Sequence, residues 1–415
     1  MPKFLNILVA LGAVLITVAP ARAQLDNSAF TSPTPGRLRS AAYPGIYLGV
    51  SGTDSLNAAG EASEARPRAG DLRLALHAFT FFKDNEYFNK IIEGYTLYGT
   101  QLNPQVVYYP VDNLRLEGGI FLWKDFGNPQ LRQVRPTFRA TWTVGKQQLI
   151  FGNIRPHLHH NYIEPLFNFE RVMLNPLEEG IQVRYQGTRL FVDQWVDWQR
   201  QQYRYSNYQE EVAGGVSSSY RISPDGSPWT VALPLQFTAI HRGGQIDTLD
   251  KPLQTVFNGA LGLDARYKLD GTIVQALRFN GYGVGYQDYS FTKGQFPFRR
   301  GWGLYLNGTL ETRYADLMVS YWRGERFLSV LGGDLYQGAS RTVSNPTYVE
   351  PNRQLLILRF MRDFRIADAA AVTARIEPVF DLNNSSLFDY SFSMYLNFRQ
   401  EWLLGNVGRR TRVGM

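Results

Sequence analysis

The sequence predicts an all-β fold, a transmembrane antiparallel β-barrel of about 16 strands. Three observations carry this reading. An export leader opens the chain, apolar and polar side chains alternate with a period of two along most of it, and short and long connections alternate between those runs.

The leader is taken first. Met1–Lys3 is a short basic start, Phe4–Val18 is almost entirely apolar, and Ala21-Arg22-Ala23 has the small-x-small form of a cleavage site. Residues 1–23 therefore read as a signal peptide, with the mature chain starting at Gln24. An uncleaved membrane anchor is disfavoured because the apolar run is shorter than the ~20 residues a spanning helix needs. There is no cysteine, so disulfides, thiolate metal sites, thiol catalysis and a lipid-modified N-terminus are all excluded. The 43 basic side chains, two of them in the leader, are scattered among 36 acidic ones. Nucleic-acid binding calls for a clustered basic face and a larger excess, so no nucleic-acid partner is expected. No later stretch is long and apolar enough for a membrane helix. The 24 Tyr, 26 Phe, 8 Trp and 38 Gly instead suit alternating barrel strands and their interfacial girdles.

Residues 24–70 are rich in Ala, Ser, Gly and Pro and read as an extended N-terminal leader. From Asp71 the period of two takes over. Leu114, Leu116, Ile120 and Leu122 oppose Arg115, Glu117 and Phe121; Val134, Phe138 and Trp142 oppose Arg135 and Arg139; Ile181 and Val183 oppose Arg184. Further on, Leu261 and Leu263 oppose Asp264 and Arg266, Trp302 and Leu310 oppose Tyr305 and Glu311, and Ile376 and Phe380 oppose Arg375, Glu377 and Asp381. In the last run Phe388, Tyr390, Phe392, Met394, Leu396 and Phe398 oppose Asp389 through Arg399. The barrel is expected over residues 71–403, followed by a basic tail, 404–415, that holds Arg409, Arg410 and Arg412.

Connections such as Val144-Gly145-Lys146, Pro224-Asp225-Gly226 and Leu269-Asp270-Gly271 carry tight-turn chemistry, whereas 156–179, 201–210, 243–253, 290–299 and 324–352 are long. In hydrocarbon every backbone N–H and C=O needs an internal partner, and only a closed strand barrel gives one without exposed edges. The apolar phase then meets lipid and the polar phase lines water. A soluble sandwich would bury the apolar phase in a core and lacks the rhythm of long and short loops. At about 16 strands a barrel is wide enough for an aqueous lumen.

With these features the chain resembles porin-like outer-membrane barrels of Gram-negative bacteria, over about Asp71 to Trp402. The resemblance implies short periplasmic turns, long outer loops and a closing strand that ends on Phe398 or Trp402. It implies passive diffusion of small hydrophilic solutes, with outer-membrane lipids and the assembly machinery as partners, and it admits a homotrimer. The chain is therefore expected not to be an enzyme. Two other classes are weighed beside this: a non-conducting structural or secretion-complex barrel, and an outer-membrane lipid hydrolase using the histidine segment with a nearby serine.

The strand phases assign twelve side chains to the lumen: Arg115, Glu117, Arg135, Arg139, Arg184, Asp264, Arg266, Glu311, Arg375, Glu377, Asp381 and Arg399. Arginine outnumbers the acids there, which favours anions weakly; pairing into wall-stiffening networks is the competing role. The segment Arg155–Gly180 places His157, His159, His160 and Glu164 in a loop that is apolar for a solvent loop, so it is expected to fold into the barrel mouth as a constriction. In extended chain His157 and His159 share a face that His160 opposes, so zinc would need a bend, and no metal or cofactor is assigned. The glycine-rich Phe279–Tyr289 lacks the strand-then-helix context of a phosphate cradle. It sends Tyr282 and Tyr286 inward, where they, with Phe121, Trp123, Tyr305 and Trp322, either stack on sugars or pack. No G-x-S-x-G, H-E-x-x-H or P-loop is present.

Overall fold

The computed structural model describes residues 67–408 apart from 248, 270, 292–294, 368 and 385–387. The signal peptide, nearly all of the N-terminal leader and the end of the basic tail lie outside the described residues.

Sixteen strands form one closed antiparallel barrel. They are β1 Asp71–Glu86, β2 Tyr95–Val111, β3 Leu114–Asp125, β4 Gln133–Val144, β5 Gln147–Asn153 and β6 Glu179–Gln186. β7 Leu190–Arg200, β8 Glu211–Arg221, β9 Trp229–Arg242, β10 Gln254–Lys268 and β11 Val274–Asp288 follow. β12 Arg300–Thr312, β13 Asp316–Glu325, β14 Asn352–Ala367, β15 Ala370–Asp381 and β16 Phe388–Asn406 complete the ring. Every strand pairs with its sequence neighbours, and β1 closes on β16 from Asp71↔Asn406 to Glu86↔Tyr390. β16 continues past the expected limit at 403 because Leu403 and Gly405 still pair with Arg73 and Leu72. Phe398 and Trp402 both lie within it.

The period of two sorts the two faces. On β10, Leu261 is 63% exposed on the outside while Asp264 is fully buried inside. Such an apolar outer surface is stable only against acyl chains. Replacing Leu261 with arginine puts a charge among them, and the expected loss is about 2–4 kcal/mol of folding free energy, read from urea titration in lipid vesicles. An arginine in place of the exposed turn residue Asn113 should leave the midpoint unchanged.

Connections at one end are tight, such as 112–113 and 145–146, and both terminal strands begin or finish at that end. At the other end, beside the five long connections marked by the sequence, 87–94, 126–132 and 382–387 also join strands. Connections 154–178 and 326–351 do not project outward: they turn into the barrel. Gly152, just before the first of them, sits at φ +93°, and a Cβ there would meet the Phe138 carbonyl oxygen at 2.3 Å. Glycine is required where β5 bends against β4.

Candidate functional site

The inward turn of connection 154–178 follows from its apolar side chains. Ile154, Ile163, Leu166 and Phe167 are buried in a core with Phe327, Leu328, Leu331 and Tyr336 of connection 326–351 and with wall residues such as Trp195, Tyr282, Tyr305 and Trp322. These aromatic residues pack and are not free stacking surfaces. Main-chain bonds tie the two connections together: Asn168 N–H to Leu331 O (2.7 Å) and Gly333 N–H to Glu164 O (2.9 Å). The wall satisfies the polar backbone that remains. Gln236 on β9 accepts from Ile163 N–H (3.0 Å) and donates to Asn161 O (2.9 Å), and Asn258 on β10 donates to Leu328 O (2.7 Å). A short helix, α1 Arg171–Leu174, lies against β2, where Gln101 donates to Val172 O (3.2 Å).

The charges around His160 and Glu164 are paired. His160, fully buried, places Nδ1 2.8 Å from Asp193 and Nε2 2.8 Å from Glu178, with its ring stacked on Trp195 at 4.5 Å. Burial opposes its charge, but the two carboxylates prevail and raise its pKa to about 9. Burial works against the Glu178 carboxylate too, yet His157 and His160 hold it well below the usual range. His157 Nδ1 is 3.0 Å from Glu178, and burial lowers its pKa. Glu164 accepts from Arg359 and from Tyr336 and lies 3.5 Å from Arg375.

Most of the wall residues singled out by the sequence are also paired. Arg115 reaches Glu117 (3.0 Å) and Glu401 (2.9 Å), Arg139 is 3.6 Å from Glu117, and Arg135 meets Glu179 at 2.5 Å. Asp264 pairs with Arg278, Arg266 with Glu311, Arg375 with Glu377 and Asp381 with Arg353. Arg184 is 3.8 Å from Asp193, and Arg399 stands opposite His77 across β1 and β16. Among the described residues no group of three or more histidines and acids is placed to hold a metal ion.

One pair was not anticipated. His241 and Thr255 are direct cross-strand partners on β9 and β10, and His241 Nδ1 lies 2.9 Å from Thr255 Oγ1. Among the described residues, His241 is the one histidine of the five hydrogen-bonded to a hydroxyl: His77 meets Asn397, His157 and His160 meet carboxylates, and the His159 ring has no hydrogen-bonded side-chain partner there. His241 is exposed and continues the outward phase of Leu233, Leu235 and Phe237. It lies at the long-loop end of β9, beside an outward group made by Phe237, Phe257 and Tyr289. The signal was present in the sequence: Leu233, Leu235, Phe237, Ala239, His241 is one period-two series that ends in a histidine on the greasy face.

A closed sixteen-strand barrel with an apolar outer surface, tight turns at one end and long connections at the other is an integral protein of the outer membrane. The chain belongs to the Lipid A 3'-O-deacylase-type family, whose model matches residues 62–407. That is a family of enzymes, and it overturns the expectation that the chain is not one. The expectation came from the resemblance to porin-like barrels, which rests on architecture, and a barrel architecture does not by itself fix an activity.

Solved structures similar to this chain include OprD from Pseudomonas aeruginosa, at 11% identity, covering 84% of this chain and 98% of that one, with a TM-score of 0.48. A loop L8 deletion mutant of OmpT from Vibrio cholerae has 11% identity, coverage of 80% and 100%, and a TM-score of 0.46. OccAB4 from Acinetobacter baumannii has 8% identity, coverage of 80% and 98%, and a TM-score of 0.45. No curated protein matches the chain.

Proposed function

We propose that this protein is an outer-membrane lipid hydrolase that cleaves an acyl ester of lipid A, with His241 and Thr255 as its reacting pair. The observation that carries the reading is the imidazole–hydroxyl contact of 2.9 Å on the lipid-facing side of the barrel, at the end with the long connections. Family membership supplies the substrate class.

The chemistry is that of an activated hydroxyl. Thr255 Oγ1 attacks the ester carbonyl carbon while its proton passes to His241 Nδ1, and the tetrahedral intermediate collapses as the sugar oxygen leaves with that proton. Water, deprotonated by His241, then attacks the acyl-threonine and frees the fatty acid, restoring the hydroxyl. The aromatic surface of Phe237, Phe257 and Tyr289 gives the acyl chain an apolar bed beside the pair. The test is direct: purified chain folded in detergent is mixed with lipid A and free fatty acid is measured. Release above the blank supports the reading, and none ends it.

Passive diffusion of small hydrophilic solutes is the second reading. It is favoured by the partly exposed Arg115 and Glu401 on the inner face toward the tight-turn end. The two inward connections oppose it, because they put an apolar core where solutes would pass. In planar bilayers the intact chain is expected to show little stepwise conductance, and a chain in which residues 156–176 are replaced by a short Gly-Ser linker is expected to show large steps. Large steps from the intact chain would favour diffusion.

A further inference from the structure

Toward the tight-turn end, beneath the inward connections, several guanidinium groups gather on the inner face. Arg139, Arg155, Arg184 and Arg399 all act electrostatically on the ring of His159. The acids that face them are Glu117, Asp193 and, toward Arg399, Glu401, which is held by Arg115. Glu117 also pairs with Arg115, and Asp193 is bonded to His160 and accepts from Gln182 at 2.9 Å. Arg139 spends two of its nitrogens on the carbonyls of Asn153 (2.5 Å) and Ile154 (3.1 Å).

Arg155 is held by its main chain: its N–H donates to Gln182 Oε1 (2.9 Å) and its carbonyl accepts from Gln182 Nε2 (3.2 Å). Its guanidinium has no hydrogen bond or ion pair among the described residues. Burial, then Arg184 and Arg139, push its pKa down to about 9, which marks an unbalanced positive field around a group that stays charged at neutral pH. Burial and the same arginines keep His159 neutral, so one of its ring nitrogens carries a proton to donate. Nearer the tight-turn end, Arg115 and Glu401 are each about one-quarter exposed.

We propose that Arg139, Arg155 and Arg184, with Arg399 and His159 beside them, bind a small soluble oxyanion of the phosphate class inside the barrel, reached from the tight-turn end. Guanidinium forks match the oxygen spacing of phosphate, and the anion supplies the charge that Glu117 and Asp193 do not. The site lies on the inner side of the wall, away from the outward His241 and Thr255, so it stands whether or not these two residues hydrolyse lipid.

The test is calorimetric titration of the folded full-length chain in detergent with inorganic phosphate at constant ionic strength, with sodium chloride as reference. Saturable binding is expected, weakened by about tenfold or more in Arg155→Gln. Arg135→Gln, which removes an inner-face arginine already paired with Glu179, should bind as the parent does, and unchanged urea midpoints will show that both variants fold. Heats equal to those of sodium chloride, or undiminished binding by Arg155→Gln, overturn the proposal. Equal saturation by a short-chain phosphatidylglycerol would assign the anion to a lipid headgroup and overturn the enclosed location.

Discussion

Replacing His241 with alanine is expected to lower fatty-acid release from lipid A by about 10²–10⁴-fold, the usual contribution of a positioned general base. The barrel should survive the change, because the side chain is exposed on the outer face and, among the described residues, its one bonded side-chain partner is Thr255. Thr255→Ala should be as damaging, since it removes the nucleophile, whereas Thr255→Ser keeps a hydroxyl within reach of Nδ1 and should retain a measurable fraction of the rate. This pattern separates chemistry from packing: loss of a methyl group and loss of a hydroxyl have different consequences only if the oxygen reacts. Simultaneous replacement of His157, His159 and His160 provides the counter-test. If that variant stays folded but loses hydrolysis while His241→Ala keeps it, the reacting group is in the interior and the outward pair is a structural contact.

His160→Leu is expected to cost about 3–5 kcal/mol of folding free energy, because it leaves the buried Glu178 and Asp193 carboxylates without the cation between them. Urea titration reads the loss. Adding Glu178→Gln and Asp193→Asn to the same chain should recover part of it, since neutral amides remove the uncompensated charge; no recovery would mean that ring packing on Trp195 is the larger effect. The pH dependence follows from the same group. The folded pKa of His160, about 9, lies above its ordinary 6.5, so its contribution is fully present below pH 6.5 and is lost as pH rises through about 9. Glu178 is shifted the other way, so its contribution is present above its ordinary 4.5 and is lost as pH falls well below that value. The midpoint should therefore be highest near pH 6.5: it declines toward pH 9 as His160 loses its proton, and it declines below 6.5 because the depressed His157 and His159 resist the protons that the unfolded chain takes up; His160→Leu should abolish the alkaline decline.

Much of the architecture was legible because a membrane barrel writes its two solvents into alternate residues. Leu261 and Asp264, or Phe388 and Asp389, could not exchange places without putting a charge in hydrocarbon or an apolar surface in the interior. The inward fate of Arg155–Gly180 was legible for a similar reason: Leu166, Phe167 and Met173 are too greasy for an outer loop. The candidate site was not. The histidine cluster attracted notice as His157, His159 and His160, yet two of those three rings rest on carboxylates. His241 stood alone in the chain, and its partner Thr255 is brought opposite only by the register of β9 and β10.

By itself, then, the order of side chains determined which faces meet lipid, where the chain turns, and that the strands must close on one another, since each of these depends on solvent preference residue by residue. Tertiary structure alone decided which side chains touch. Cross-strand register brought His241 to Thr255, and two connections distant in sequence met inside the barrel to fill it, because contacts between remote segments are set by the geometry of the closed sheet and leave no period in the chain.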